Sequence, residues 1–429
     1  MISAVATLAW IAAIAVIAEA VRQAIASLAH FDSFAAGWAI ALALVAYTAP
    51  IGFAATGSLS ASLFTLALVS SVVLWRRRRL GAARRRIALD VREGPSLVIA
   101  ALVLWILVSS DIWDRHIHTQ LVMVAARGVV PIELPAFPGE PFAYHVSFDL
   151  LAAALVSFAS LEGPLGIELL QLLTIAPLLA LLRRQFFEEG AKGGVLNPVR
   201  SPGLWAAPLV LQSPIAQCSG ATPYLGMCDE LLPFADVYSA VPPPVSGVFQ
   251  VAMCFGWAVM LAALPLFSSR NLGARVALAG IVLTLSEVNV VMFLVGGLAF
   301  GATAVLEVLH QSTRRVGALT AALLLLAVAM WLARGSLSVG EGQLRFGGFF
   351  GDHAALGLLV FMPAAIIGLA WSVRHLSVQE RPADVVAAII VVVGIIVPLV
   401  VSYRFSWDIV KFFHVAAFFG AILFAKRLS

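Results

Sequence analysis

The sequence is a succession of apolar runs, many of them about as long as a bilayer is thick, separated by short clusters of arginine. A helix needs about 20 predominantly apolar residues to cross the hydrocarbon layer. Backbone in lipid must satisfy its own N–H and C=O groups, and a helix does this within one segment. A water-soluble fold is excluded by composition, with 61% hydrophobic and 12% charged residues against about 45–50% and about 25% in soluble domains. The expected fold class is all-α, a polytopic transmembrane helical bundle. The net charge of +4 resides in clusters between the runs, as the positive-inside rule places them, and does not point to nucleic acid. The first run, 2–26, lacks a basic leading segment and a small-residue cleavage site, so it reads as a retained helix.

Arginines set the orientation. Arg76 to Arg79 and Arg84 to Arg86 form the strongest cytoplasmic signal. Three runs precede them, near 2–26, 37–56 and 61–75, which puts the N-terminus on the extracytoplasmic side. The next run, 95–110, delivers Asp111 to the outer face. The stretch 145–182 must then contain one crossing, 165–182, for Arg183 and Arg184 to stay inside. That leaves 145–161, short and bearing His145 and Asp149, as an interfacial or re-entrant helix. Later runs fall near 203–217, 247–267, 276–287, 289–309, 317–333, 354–373, 385–402 and 412–425. This parity puts twenty of the 27 Lys and Arg residues in inner loops. The reading gives about 13 spans, organised as a three-helix segment 1–94, a core 95–333 with outer loops 111–164 and 218–246, and a C-terminal part 334–429. Cys218 and Cys228 flank one outer loop and are compatible with a disulfide or with free thiols.

Outer loops are large and acidic whereas inner loops are short, so function is expected on the outer face. The densest cluster runs from Asp111 to His118. In a helix, Asp111, Asp114 and His118 share one face. Two carboxylates and an imidazole so placed suit a divalent metal, or a general base with an orienting partner. The plainer reading is a capped surface helix with a solvated His118. Glu287 interrupts an apolar hairpin and reads either as a functional group at membrane depth or as part of an outer turn. Glu19 and Arg22, three apart in the first run, read as an intrahelical pair.

After the acidic cluster come Arg127-Gly128, Pro131, Pro135, Pro138-Gly139-Glu140-Pro141 and Tyr144-His145, then the short segment 145–161 and Arg183-Arg184. This order resembles the first outer loop of the GT-C superfamily, multi-spanning glycosyltransferases that use polyprenyl-phosphate-linked sugars. The resemblance covers residues 95–200. Three helices ahead of the core and an outside N-terminus depart from its best-known members.

The resemblance implies transfer of a sugar from a polyprenyl-phosphate carrier to a glycan, lipid or protein acceptor. Asp111 would be the base or a metal ligand, with Asp114 and His118 as partners and Mg or Mn as the ion on Asp111 and Asp114. Glu140, Tyr144, His145 and Glu287 would line the substrate. Arg345, in a Gly-rich stretch, and Arg404 and Lys411, around Trp407-Asp408, are the outer cations for the carrier phosphate. Competing readings are a transporter or flippase of a lipid-linked glycan, and an O-antigen ligase or polymerase-like enzyme. The arginine-, alanine- and leucine-rich composition points to a bacterial inner membrane.

Overall fold

The computed structural model describes residues 2–79, 96, 98–102, 113–134, 137–141, 146–187, 251–309, 313–333, 344–346, 363–376, 382–403 and 407–428. These are helical apart from turns and two short β-ribbons. Among the described residues, five helical segments are long and apolar enough to cross a membrane: Ser3–Ala29, Phe34–Thr56, Gly163–Gln185, Val290–Val308 and Pro382–Val400. The chain is a helical membrane protein, and the described residues divide into two compact units. The units cut across the segments 1–94, 95–333 and 334–429 delimited by sequence.

Unit 1 comprises Met1–Leu181 and Phe249–Val290. It contains α1 (Ile2–Ala29), α2 (Phe34–Thr56), α3 (Ala61–Arg79), α4 (Trp113–Ala126), α5 (Ser147–Ala159), α6 (Gly163–Leu182), α7 (Val251–Ser268) and α8 (Leu272–Val288). The turn between α1 and α2 is set by Ser33, whose hydroxyl accepts from the Ala36 N–H at 3.3 Å. The two helices then cross at Gly37, where a Cβ would stand 2.3 Å from the Ala18 carbonyl oxygen. No larger residue admits that approach. Glu19 and Arg22 form the expected pair, and Asp32 of the turn joins it as a second carboxylate on the guanidinium. Two buried or half-buried carboxylates around one Arg satisfy its planar donor fork at the helix end.

Between α4 and α5 the Pro-rich stretch forms a ribbon of β1 (Glu133–Leu134) and β2 (Phe137–Pro141), with Glu133 opposite Pro141. The helix that follows departs from one form of the sequence expectation. A helix lying on a lipid surface would keep one polar face in water. In α5 only Ser157 and Phe158 are exposed, and Ser147 through Val156 are all buried. It is inserted among α1, α2 and α4, because ten of its thirteen residues are Ala, Leu, Val, Phe or similarly small and apolar, leaving no polar face to put in water. Its carbonyl at Ala154 accepts from buried Ser60 Oγ at 3.1 Å, tying it to the turn between α2 and α3.

The ends of unit 1 are defined by α7. At its start Phe255 meets Phe148 of α5, and the amide of buried Asn289, which caps α8, donates to Met253 Sδ at 3.3 Å. Past its other end, Ser269 Oγ donates to the Leu28 carbonyl of α1 at 2.8 Å. The start of α5 and the end of α1 therefore lie at opposite ends of the bundle.

Unit 2 comprises Leu182–Val248 and Val291–Ser429. A π-helical turn (Arg183–Phe187) is followed by α9 (Val290–Val308), α10 (Arg314–Ala333), α11 (Pro363–Ser372), α12 (Pro382–Val400) and α13 (Trp407–Leu428). Its centre is α13, buried on all sides from Lys411 to Leu423. Gly420 makes this possible, since a Cβ there would fall 2.3 Å from Ala365 Cα of α11. At the far end of α13, Trp371 stacks on Phe424 with ring planes 9° apart, and Lys426 Nζ donates to both oxygens of Asp384 at the start of α12, at 2.8 and 3.0 Å. A ribbon of β3 (Leu344–Phe346) and β4 (Val401–Tyr403) pairs Arg345 with Ser402.

Candidate functional site: a buried histidine–carboxylate pair

The polar side chains that meet most tightly across helices in unit 1 are His118 of α4 and Asp149 of α5. His118 Nδ1 lies 2.7 Å from Asp149 Oδ1, with the residues 5% and 0% exposed. With the carboxylate ionised, and so an acceptor only, the ring carries its proton on Nδ1 and donates it. At this length the bond is in the charge-assisted range. Phe148 sets its edge against the imidazole, with centroids 6.3 Å apart and planes at 74°. Phe255 in turn packs on Phe148 with centroids 6.5 Å apart. The ring is thus clamped by aromatic packing and by one carboxylate.

Local sequence explains how both groups arrive. His118 projects from the second turn of an amphipathic helix in which Leu121, Val122 and Ala125 are also buried. Asp149 occupies the first turn of α5, where a carboxylate favours the positive end of the helix dipole. Both stand where α7 begins, at the end of the unit away from the Leu28–Ser269 contact. Chemically, a histidine held through Nδ1 by a buried carboxylate is an oriented proton acceptor at Nε2. The carboxylate fixes the tautomer and balances the charge the ring takes up.

The sequence-derived site residues fare differently. Asp111, Tyr144, His145 and Arg404 lie outside the described residues, as do Cys218 and Cys228. Asp114 stands in the first turn of α4, four residues before His118 and so on the same face of that helix, while its side chain is outside the described part. Glu140 belongs to β2. Glu287 is half-buried in the last turn of α8, one residue before the helix ends. Arg345 sits in β3, paired with Ser402 of β4. Lys411 is buried near the start of α13. No group of three or more His, Cys, Asp and Glu side chains converges as a metal site among the described residues.

Two groups stood outside the sequence-derived site. Asp149 was visible as the lone acid in an apolar 13-residue segment, a signal that by default marks function inside a membrane protein. His414, one turn beyond Lys411, is buried, and its Nδ1 has no hydrogen-bond partner among the described residues. Its signal was the same, an ionisable group inside an apolar run. No family model, curated protein or solved structure matches the chain, so the functional reading rests on the residues themselves.

Proposed function

We propose that this protein is a membrane glycosyltransferase of GT-C type, with His118 as the general base that activates the acceptor hydroxyl. The single observation that supports the reading is the His118–Asp149 pair, buried where two helices flank the loop that resembles that superfamily. In the reaction, His118 Nε2 takes the acceptor proton as the acceptor oxygen bonds to the anomeric carbon. The bond from that carbon to the carrier oxygen breaks, and its electrons leave with the polyprenyl phosphate. Asp149 is a positioning residue, since it touches His118 and not the reacting atoms. This moves the role of base from Asp111, at the start of the loop, to a group whose orienting partner is known.

Further features of the reading follow from sequence. They are about 13 spans, an extracytoplasmic N-terminus, a bacterial inner membrane, a carrier phosphate bound by Arg345, Arg404 and Lys411, and Mg or Mn on Asp111 and Asp114. A general base typically contributes about 10²–10⁴-fold. The test is glycosyl transfer from polyprenyl-phosphate sugars by the purified protein in nanodiscs. Loss of about that factor in His118→Gln, with Asp149→Asn losing less and the fold retained, supports the assignment. Robust transfer in His118→Gln would refute it, and sensitivity to EDTA would bring in the metal. No turnover of any donor, together with passage of lipid-linked glycan across proteoliposomes, would favour the transport reading instead.

A further inference from the structure

We propose that the basic end of α3 is a collar that binds anionic phospholipid headgroups around its whole circumference. α3 is the least covered helix of unit 1, with only Ser62 and Leu63 buried. Leu68, Val69, Val72 and Val73 are 67%, 55%, 45% and 43% exposed, an apolar surface of the kind that faces lipid. From Ser71 to Arg79 every residue except Leu74 and Arg77 is exposed, so this end stands clear of the other helices. The apolar surface ends at Trp75, 52% exposed, and Arg79 lies over its ring at 3.9 Å. Trp with Arg at such a boundary marks the level of the headgroups.

Arg76, Arg77, Arg78 and Arg79 follow without interruption, and among the described residues none has a carboxylate partner. The chain continues with Arg84, Arg85 and Arg86 before the first acid, Asp90. The adjoining segment therefore adds cations ahead of any neutralising group. The angular spacing of the four arginines identifies the occupant. Successive residues of a helix are turned by about 100°, so the guanidinium stems leave α3 in all directions. A partner protein or a single soluble anion would meet one side only. Phosphate headgroups of a bilayer meet every side, and each basic residue near them adds to the attraction. A basic residue near an anionic surface contributes about 1 kcal/mol, or roughly fivefold.

The experiment measures association of spin-labelled phosphatidylglycerol relative to phosphatidylcholine with the full-length purified protein, at low and at high salt. Preference for phosphatidylglycerol is expected in the native protein and is weakened by salt. R76Q, R77Q, R78Q and R79Q, made singly so that three cations and the membrane orientation are kept, should each lower the preference by a similar few-fold factor. The quadruple lysine variant should retain most of it. Absence of preference in the native protein overturns the proposal. Loss confined to one of the four positions also overturns it, because that pattern belongs to a one-sided site for a discrete partner.

Discussion

Each unit contains a carboxylate that reaches across to a basic group on a neighbouring helix, and the two pairs are built differently. In unit 2, Asp384 gives both oxygens to one ammonium at the end of α13. The Asp384 side chain is 2% exposed, whereas that of Lys426 is 21% exposed and has a long flexible stem. In unit 1, Asp149 gives one oxygen to a ring nitrogen at 2.7 Å, and the side chains are 0% and 7% exposed. A lysine pair at a helix end ties two segments together, and water can replace the partner if it is lost. A histidine pair in an apolar core has no such reserve, and an imidazole carries two ring nitrogens where an ammonium has one. The two pairs share an acid–base makeup. The exposure and the identity of the base separate them.

The contrast is broken or sharpened by substitution. The largest effect is expected from Asp149→Ala, which strands a buried imidazole and should lower unfolding stability by about 3–5 kcal/mol. Asp384→Ala should lower it by only about 1 kcal/mol. Denaturation of the two variants side by side in detergent measures the difference, and equal losses would erase it. Apolar replacement of whole pairs is more selective. His118→Leu with Asp149→Leu should recover most of the stability lost in Asp149→Ala, since well-packed apolar groups often substitute for buried ionic ones. That double variant should be inactive in sugar transfer. Lys426→Met with Asp384→Leu should transfer normally, and activity surviving in the first double variant would reduce the histidine pair to a structural tie. The smallest effect is the local yardstick Ser33→Ala, expected to cost about 1 kcal/mol through loss of one helix cap.

Helix positions were largely legible in the sequence, and their ends less so. The apolar runs 2–26 and 37–56 became Ile2–Ala29 and Phe34–Thr56. Hydropathy locates the part in lipid, whereas the cap at Ser33 decides where the second helix begins. The run 61–75 became Ala61–Arg79, because arginine ends an apolar run without ending a helix. Segment 145–161 contains a helix of 13 residues, Ser147–Ala159, whose burial depends on neighbours that sequence does not reveal. The site was half legible for the same reason. Asp114 and His118 share a face of α4 by arithmetic alone. The partner of His118 comes from another helix 31 residues on, and the pairing of Arg345 with Ser402 spans a still longer separation. Both are products of packing and have no trace in local pattern.

The central place of α13 also bears on how unit 2 is made. α11 and α12 pack mainly on α13 and little on each other, with Gly368 of α11 and Gly394 of α12 each lying against its backbone. As the chain emerges, both helices reach the membrane before the segment they embrace. They must wait there, with small-residue faces open to lipid, until α13 slides between them. Assembly of these helices therefore turns on the arrival of α13, and mutations in α13 should be read out first as turnover by quality control during biogenesis.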